Sequence, residues 1–294
     1  MARIFTLIFG VCVMLYLVVY SFMPTTAKNR LPRPLKEGTD SVVVACYNVL
    51  DSVLDALGPG LSKTITTIKE DAPGVISAPL SNEARGVDES AKFLLGAEYE
   101  SANLIEARFN GATLTNAFFR GALLERARFE TAALQGANFN DADLTNAVLT
   151  GADASFARFE AARLTGVAAR ALRAARAGFN RSVLDRARFD RAYLVNATFL
   201  GVKAPSVSFR DARLDEADFT GADLTGARFD RADLSGARFP GANLTGAVLD
   251  GAILSSADLS AAIGLTLEQL ARACGDAGTK APEGLTIPLC GAPS

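Results

Sequence analysis

The cysteines come first, because a thiolate is both a nucleophile and a metal ligand. Cys12 lies within an apolar N-terminal run and Cys46 within a stretch of helical spacing, while Cys274 and Cys290 stand near the C-terminus. There is no C-x-x-C pair, so zinc is not expected. Four cysteines in 294 residues are too few for a disulfide scaffold. Two readings stay open for Cys274 and Cys290, a disulfide or two separate thiols. The chain has no histidine, which removes the commonest general base and metal ligand. Catalysis would have to run on carboxylates, Lys, Ser or Cys. Charged groups such as Asp143 and Arg228 recur at a fixed spacing instead of gathering at one place. No enzyme, cofactor, metal or small-molecule substrate is expected from such a distribution.

That fixed spacing is the dominant feature of the chain. At every fifth residue from Leu94 to Leu259, 29 of 34 positions are Leu or Phe and a further one is Tyr99. Two residues earlier in each pentad, 28 of 34 positions are Ala. The phase holds without a slip, which an Ala-rich low-complexity segment would not manage. A period of five fits neither the helical 3.6 nor the strand 2.0. It requires a backbone that turns a corner every five residues, with two positions pointing into a core and three facing solvent.

A longer period is present too. Every twentieth residue from Phe119 to Phe239 is Phe, and a second column runs Phe109, Phe129, Leu149, Ala169, Phe189, Phe209, Phe229 and Leu249. The other two columns are rich in Leu, among them Leu114, Leu134 and Leu194, and Leu104, Leu124 and Leu144. Alternation of Phe and Leu by itself shows a period of ten, and four sides are the smallest closed arrangement consistent with it. The pentad cores Ala142-Asp143-Leu144, Ala222-Asp223-Leu224 and Ala242-Asn243-Leu244 closely resemble the A(D/N)LXX motif of the pentapeptide-repeat family. The resemblance implies an all-β solenoid, a right-handed quadrilateral β-helix over 91–262. Its 34 pentads would make a rod of roughly 40 Å at the β-ladder spacing. Many pentads carry Arg at the motif's Asp/Asn position, as in Ala107-Arg108-Phe109, and that position faces outward.

The motif is weakest from Gly166 to Ala174. Where the central residue shrinks to Ala169, Ala174 or Ala204, the inner one grows to Val167, Leu172 or Val202. Cores tolerate swaps that conserve volume, so a continuous, loosened coil is expected instead of a projecting basic helix. Ala154 has no such compensation. The same region holds Arg158, Arg163, Arg170, Arg173, Arg176, Arg181, Arg186, Arg188 and Arg191 against Glu160, Asp185 and Asp190, a net of +6. Residues 211–258 carry a net of −5. A basic band beside an acidic end could dock an acidic protein partner or simply solubilise the surface. Nucleic acid is not expected as a partner, because the Phe columns point inward and leave no aromatic interleaving outside.

The flanks complete the organisation. Ile4–Met23 is an apolar run long enough to cross a bilayer as a helix. It reads as a transmembrane anchor, the competing reading being a signal peptide cut after Ala27, whose apolar region is ordinarily shorter. An inner-membrane, single-pass placement follows. Lys28, Arg30, Arg33 and Lys36 put the repeats in the cytoplasm by the positive-inside rule, whereas a cleaved signal or a C-terminal disulfide puts them in the periplasm. Residues 28–90 read as a linker with an amphipathic helix at about 41–57. Residues 263–294 read as a cap, with Thr266 and Gln269 forming a capping box on a helix over 266–274. This tail resembles the C-terminal element of bacterial pentapeptide-repeat proteins. The expected function is a membrane-anchored scaffold presenting its rod to protein partners. The alternative is a DNA mimic acting on DNA gyrase or topoisomerase, as the family resemblance allows.

Overall fold

A computed structural model describes residues 84–291. The anchor at 4–23, the helix at 41–57 and most of the linker lie outside the described residues. Among those described, no helix is long and apolar enough to cross a membrane.

The pentads build a parallel solenoid whose register is 20 residues. Bridges pair one residue of each pentad with its counterpart a coil later, along four faces. Face 1 runs from Asp88↔Arg108 to Arg228↔Val248, and face 2 from Phe93↔Thr113 to Asp233↔Ile253. Face 3 runs from Glu98↔Phe118 to Arg238↔Asp258, and face 4 from Asn103↔Leu123 to Asn243↔Ile263. Four pentads per coil are thus observed. The solenoid has already begun at Ala84, whose amide donates to the Asn103 carbonyl, so it reaches into the stretch read from sequence as linker up to 90. The weak motif at 166–174 stays in phase: Ala168 bridges Val148 and Arg188, and Arg173 bridges Asp153 and Tyr193. Val167, Leu172 and Val202 are fully buried at the inner positions, as the compensating volumes require.

The backbone of one pentad explains the frame. The Ala142 amide closes a turn onto the Phe139 carbonyl at 3.1 Å. Asp143 donates back to Ala122 at 2.9 Å, while Leu144 and Asn146 donate forward to Arg163 and Thr165 at 2.7 and 2.9 Å. The fifth amide, Thr145, donates to its own pentad's Asp143 Oδ1 at 3.0 Å. Four amides are satisfied by backbone and one by the motif's carboxylate, which is why Asp or Asn recurs there. Each corner ends in a residue of positive φ. At every fifth residue from Gly86 to Ser256 φ lies between 53° and 68°, and 21 of these residues are not glycine. The left-handed conformation costs a residue with a Cβ about 1 kcal/mol, and the forward ladder bond from that same residue holds it there.

The core is two stacks of aromatic rings meeting at right angles. Along face 3, Phe119 and Phe139 stack at 4.7 Å and 0°, and Phe159 and Phe179 at 4.8 Å and 1°. Along face 1, Phe109 and Phe129 stack at 5.0 Å and 7°. Across the core the two stacks are edge-on, as for Phe119 against Phe129 at 87°, the geometry ring quadrupoles favour. Ser182 occupies one inner slot and donates its hydroxyl to the Phe179 carbonyl at 2.6 Å, so its burial leaves no orphan.

The last coil is closed by a short helix, α1 (Leu267–Leu270), with Thr266 as N-cap and the capping box present. It is shorter than the 266–274 helix expected, because Cys274 returns to the ladder opposite Ile253. Gln269 Nε2 donates to the Leu244 and Ala247 carbonyls at 3.1 and 2.7 Å. Thr279 Oγ1 donates to the Leu254 carbonyl at 2.8 Å. These side chains satisfy end carbonyls that would otherwise invite another strand. The tail folds back so that Gly275 bridges Leu289, with Cys274 and Cys290 joined at S–S 2.01 Å.

Candidate interaction surface

From Ala97 to Leu259 both inward positions of every pentad are apolar, aromatic or small, so the chemistry lies outside. The motif's own capping bond shows how the exterior is organised. Where Arg replaces Asp/Asn at 128 and 158, and Thr at 198, the fifth amide loses its local acceptor. The Glu130, Glu160 and Leu200 amides instead donate to Asn110, Asn140 and Asn180 of the coil below, at 3.1, 3.0 and 3.0 Å. The outward position therefore contributes to the fold through the amide it caps, and Arg is accommodated there without loss of register.

The nine Arg of the basic band do not share a face. Arg188 lies on face 1, Arg173 on face 2, Arg158 on face 3 and Arg163 on face 4. Arg170, Arg176, Arg181, Arg186 and Arg191 occupy the corners between them. They form a belt around the rod. Five of them are within 4.0 Å of a carboxylate: Arg163–Asp143, Arg170–Asp190, Arg173–Asp153, Arg186–Asp185 and Arg188–Asp190. Asp190 is buried and also accepts the Ser208 hydroxyl. Among the described residues, the cations without such a partner are Arg158, Arg176, Arg181, Arg191 and Lys203. All five fall within the belt or one coil of it. Among the described residues, cations without a carboxylate within 4.0 Å are confined to the middle of the rod.

The distal acidic region is largely matched. Arg213, Arg228, Arg231 and Arg238 pair with Asp215, Asp230, Asp211 and Asp218. The cap contributes Arg272 to Asp250 and Lys280 to Asp258. Hydrogen bonds from Arg228 and Arg231 hold the Asp230 and Asp211 carboxyls below the usual carboxylate range.

Sequence reasoning missed the aromatics that face out. Phe93, Phe118, Phe156 and Tyr193 are all exposed. Each stands off the inward phase, and that displacement is the signal that could have found them. Arg176 sits over the Phe156 ring at 5.8 Å and Arg213 over the Tyr193 ring at 5.2 Å. The expectation that no aromatic side chain interleaves with the outer arginines is corrected. Among the described residues no group of three or more His, Cys, Asp or Glu is placed to hold a metal ion.

A four-sided parallel coil with stacked apolar columns and a variable exterior defines a solenoid repeat protein, stabilised by neighbour-on-neighbour contacts. The five-residue unit places it further, since models of pentapeptide repeats match residues 102–141, 127–166 and 227–263, and a second such model matches 184–233. The chain belongs to the pentapeptide-repeat family. It is similar to HetL, a pentapeptide repeat protein involved in heterocyst differentiation regulation from Nostoc sp. strain PCC 7120. The identity is 27% over 68% of this chain and 94% of that one, with a TM-score of 0.41. It is similar to full-length QnrB1, a plasmid-mediated fluoroquinolone resistance protein, at 22% identity over 65% and 90% of the two chains, with a TM-score of 0.29. A pentapeptide repeat protein of the Arabidopsis thaliana thylakoid lumen is 34% identical over 31% and 67%, with a TM-score of 0.26. No curated protein matches the sequence.

Proposed function

We propose that the chain is a non-enzymatic, membrane-anchored scaffold whose rigid rod presents its outer surface to protein partners. The observation that supports this best is the division of labour within each pentad. Two positions are given to the buried columns, and from Ala97 to Leu259 the charged side chains occupy only the other three, at a fixed register set by the ladder and its corners. Such a frame keeps side chains in place over several coils, which favours recognition of a partner over chemistry at one atom. The apolar run at 4–23 supplies the tether in this reading.

The DNA-mimic alternative needs a continuous acidic surface. The ion pairs that cover Asp211, Asp215, Asp218 and Asp230 work against it. Cross-linking and affinity purification of the full chain from membranes test the scaffold reading, and a reproducible protein partner is expected. Protection of gyrase in a supercoiling assay would favour the mimic instead. Release of the chain into the soluble fraction by a carbonate wash would remove the tether.

A further inference from the structure

We propose that the edge between faces 2 and 3, around Phe156, Arg176 and Tyr193, is a docking site for an acidic, aromatic-containing segment of a partner protein. The proposal rests on the scaffold reading and specifies where on the rod the partner binds.

Phe156 carries the argument. It occupies a corner position with φ at +61°, where the same corner of other coils has Gly96, Asn116, Gly136, Arg176, Asn196, Glu216, Gly236 and Ser256. Five of those eight are Gly or Asn, which adopt the left-handed region readily, and no other coil places an aromatic ring at this corner. Phe156 is also 57% exposed, so burial returns little for the backbone cost beyond the bond its amide donates to the Ala175 carbonyl at 2.9 Å. A residue that is strained and exposed at once points to a role in what approaches it. Tyr193, 37% exposed, stands on face 2 directly above Arg173 in the ladder.

The charge around these rings selects the partner. Three of the cations without a carboxylate within 4.0 Å flank them. Arg176 lies over Phe156 itself, Arg158 follows on face 3, and Arg191 stands two residues before Tyr193 at the entry to face 2. Arginine planes beside exposed rings are the composition found at the centres of protein interfaces. Guanidinium groups with no carboxylate in contact can take one bidentately from a partner. The fit is to Asp or Glu side chains alternating with apolar or aromatic ones along an extended segment.

The test uses the full-length chain in detergent. The probe is a fluorescein-labelled 12-residue peptide of alternating Glu and Phe, read by anisotropy against an alternating Lys and Phe peptide and labelled dT12. The Glu/Phe peptide is expected to bind at least tenfold more tightly than either. Phe156→Asn and Arg176→Glu should each weaken it at least tenfold. Phe156→Asn keeps a residue suited to the left-handed corner, so its melting temperature should not fall. The same change at another corner, Arg126→Asn, should leave binding as it was. Equal binding of the two peptides would overturn the proposal, as would indifference to both variants. Tighter, Phe156-dependent binding of dT12 would overturn it in favour of nucleic acid, and a Phe156-dependent dimer in light scattering in favour of a second copy. Partner capture from membranes that survives both variants would sink this site while leaving the scaffold reading intact.

Discussion

Asp143 Oδ1 accepts two hydrogen bonds from Thr145, from the amide at 3.0 Å and from the hydroxyl at 2.6 Å. The bond from the amide satisfies the one backbone donor of the pentad that the ladder leaves over. Asp143→Ala should therefore destabilise the coil by about 1 kcal/mol, as loss of a side-chain cap on a backbone amide does. Asp143→Asn, which keeps Oδ1, should cost little. Amide hydrogen exchange localises the effect: Thr145 should exchange faster in the Ala variant only. Unchanged exchange at Thr145 would mean that water serves the amide as well as the carboxylate.

The cap can also reach across coils. Asn110 accepts the Glu130 amide at 3.1 Å, in a pentad whose own motif position is Arg128. Asn110→Ala should speed exchange at Glu130, twenty residues away in sequence, more than at its immediate neighbours. An effect confined to residues 109–112 would refute the substitution of one cap for the other.

These bonds mark the limit of what the sequence discloses. The columns were legible because Phe119 to Phe239 and their Leu counterparts are inward, and inward positions tolerate few residue types. The corners were not. Arg126, Glu106, Ala161 and Phe156 all adopt positive φ, imposed by the ladder bond of that same residue, and no composition rule anticipates it. The Arg belt was visible as a run of charge. Which of its members lack a carboxylate depends on neighbours twenty residues away, such as Asp153 beside Arg173 at 3.7 Å. Phe156 and Tyr193 were overlooked because the inward Phe columns dominated the pattern.

Volume compensation in the weak coils has a direct test. Leu172 is buried at an inner slot beside the shrunken Ala174. Leu172→Ala should cost about 2–4 kcal/mol through lost contacts and the space left behind. Ala174→Leu alone should also destabilise, by about 1–3 kcal/mol of overpacking. The pair together restores the ordinary Ala-x-Leu pentad and should recover most of the loss. Additive effects in the double-mutant cycle would show that the two side chains do not share one volume.

Acid should weaken the rod in a defined window. The Arg228 guanidinium donates to Asp230 at 2.6 and 3.1 Å and holds its carboxyl low. Arg231 does the same for Asp211, and Arg128 for Glu130. A carboxyl depressed in the folded state contributes stability above its unfolded pKa, about 4, and that stability is lost as pH falls through the lower folded value. The melting temperature should hold steady from neutral pH to about 5 and decline below about 4. Asp230→Asn should lower the neutral-pH value and flatten part of the decline. A melting temperature that rises on acidification would contradict these pairings.

The closing clasp ties the fold to its compartment. Cys274 and Cys290 join the ladder end to the returning tail across 16 residues. A loop of that size contributes about 3 kcal/mol when cross-linked. Reduction, or Cys290→Ser, should expose residues 275–291 to protease while the coils from 84 to 263 stay resistant, since solenoid coils hold mainly through their neighbours. In intact cells the same bond reports the side of the membrane, because thiols stay reduced in the cytosol. A maleimide reagent added to denatured full-length chain should label Cys274 and Cys290 only after reduction if the repeats face an oxidising compartment. The flank of Lys28, Arg30, Arg33 and Lys36 argues for the opposite side. Labelling of both thiols without reductant would settle orientation in favour of that flank.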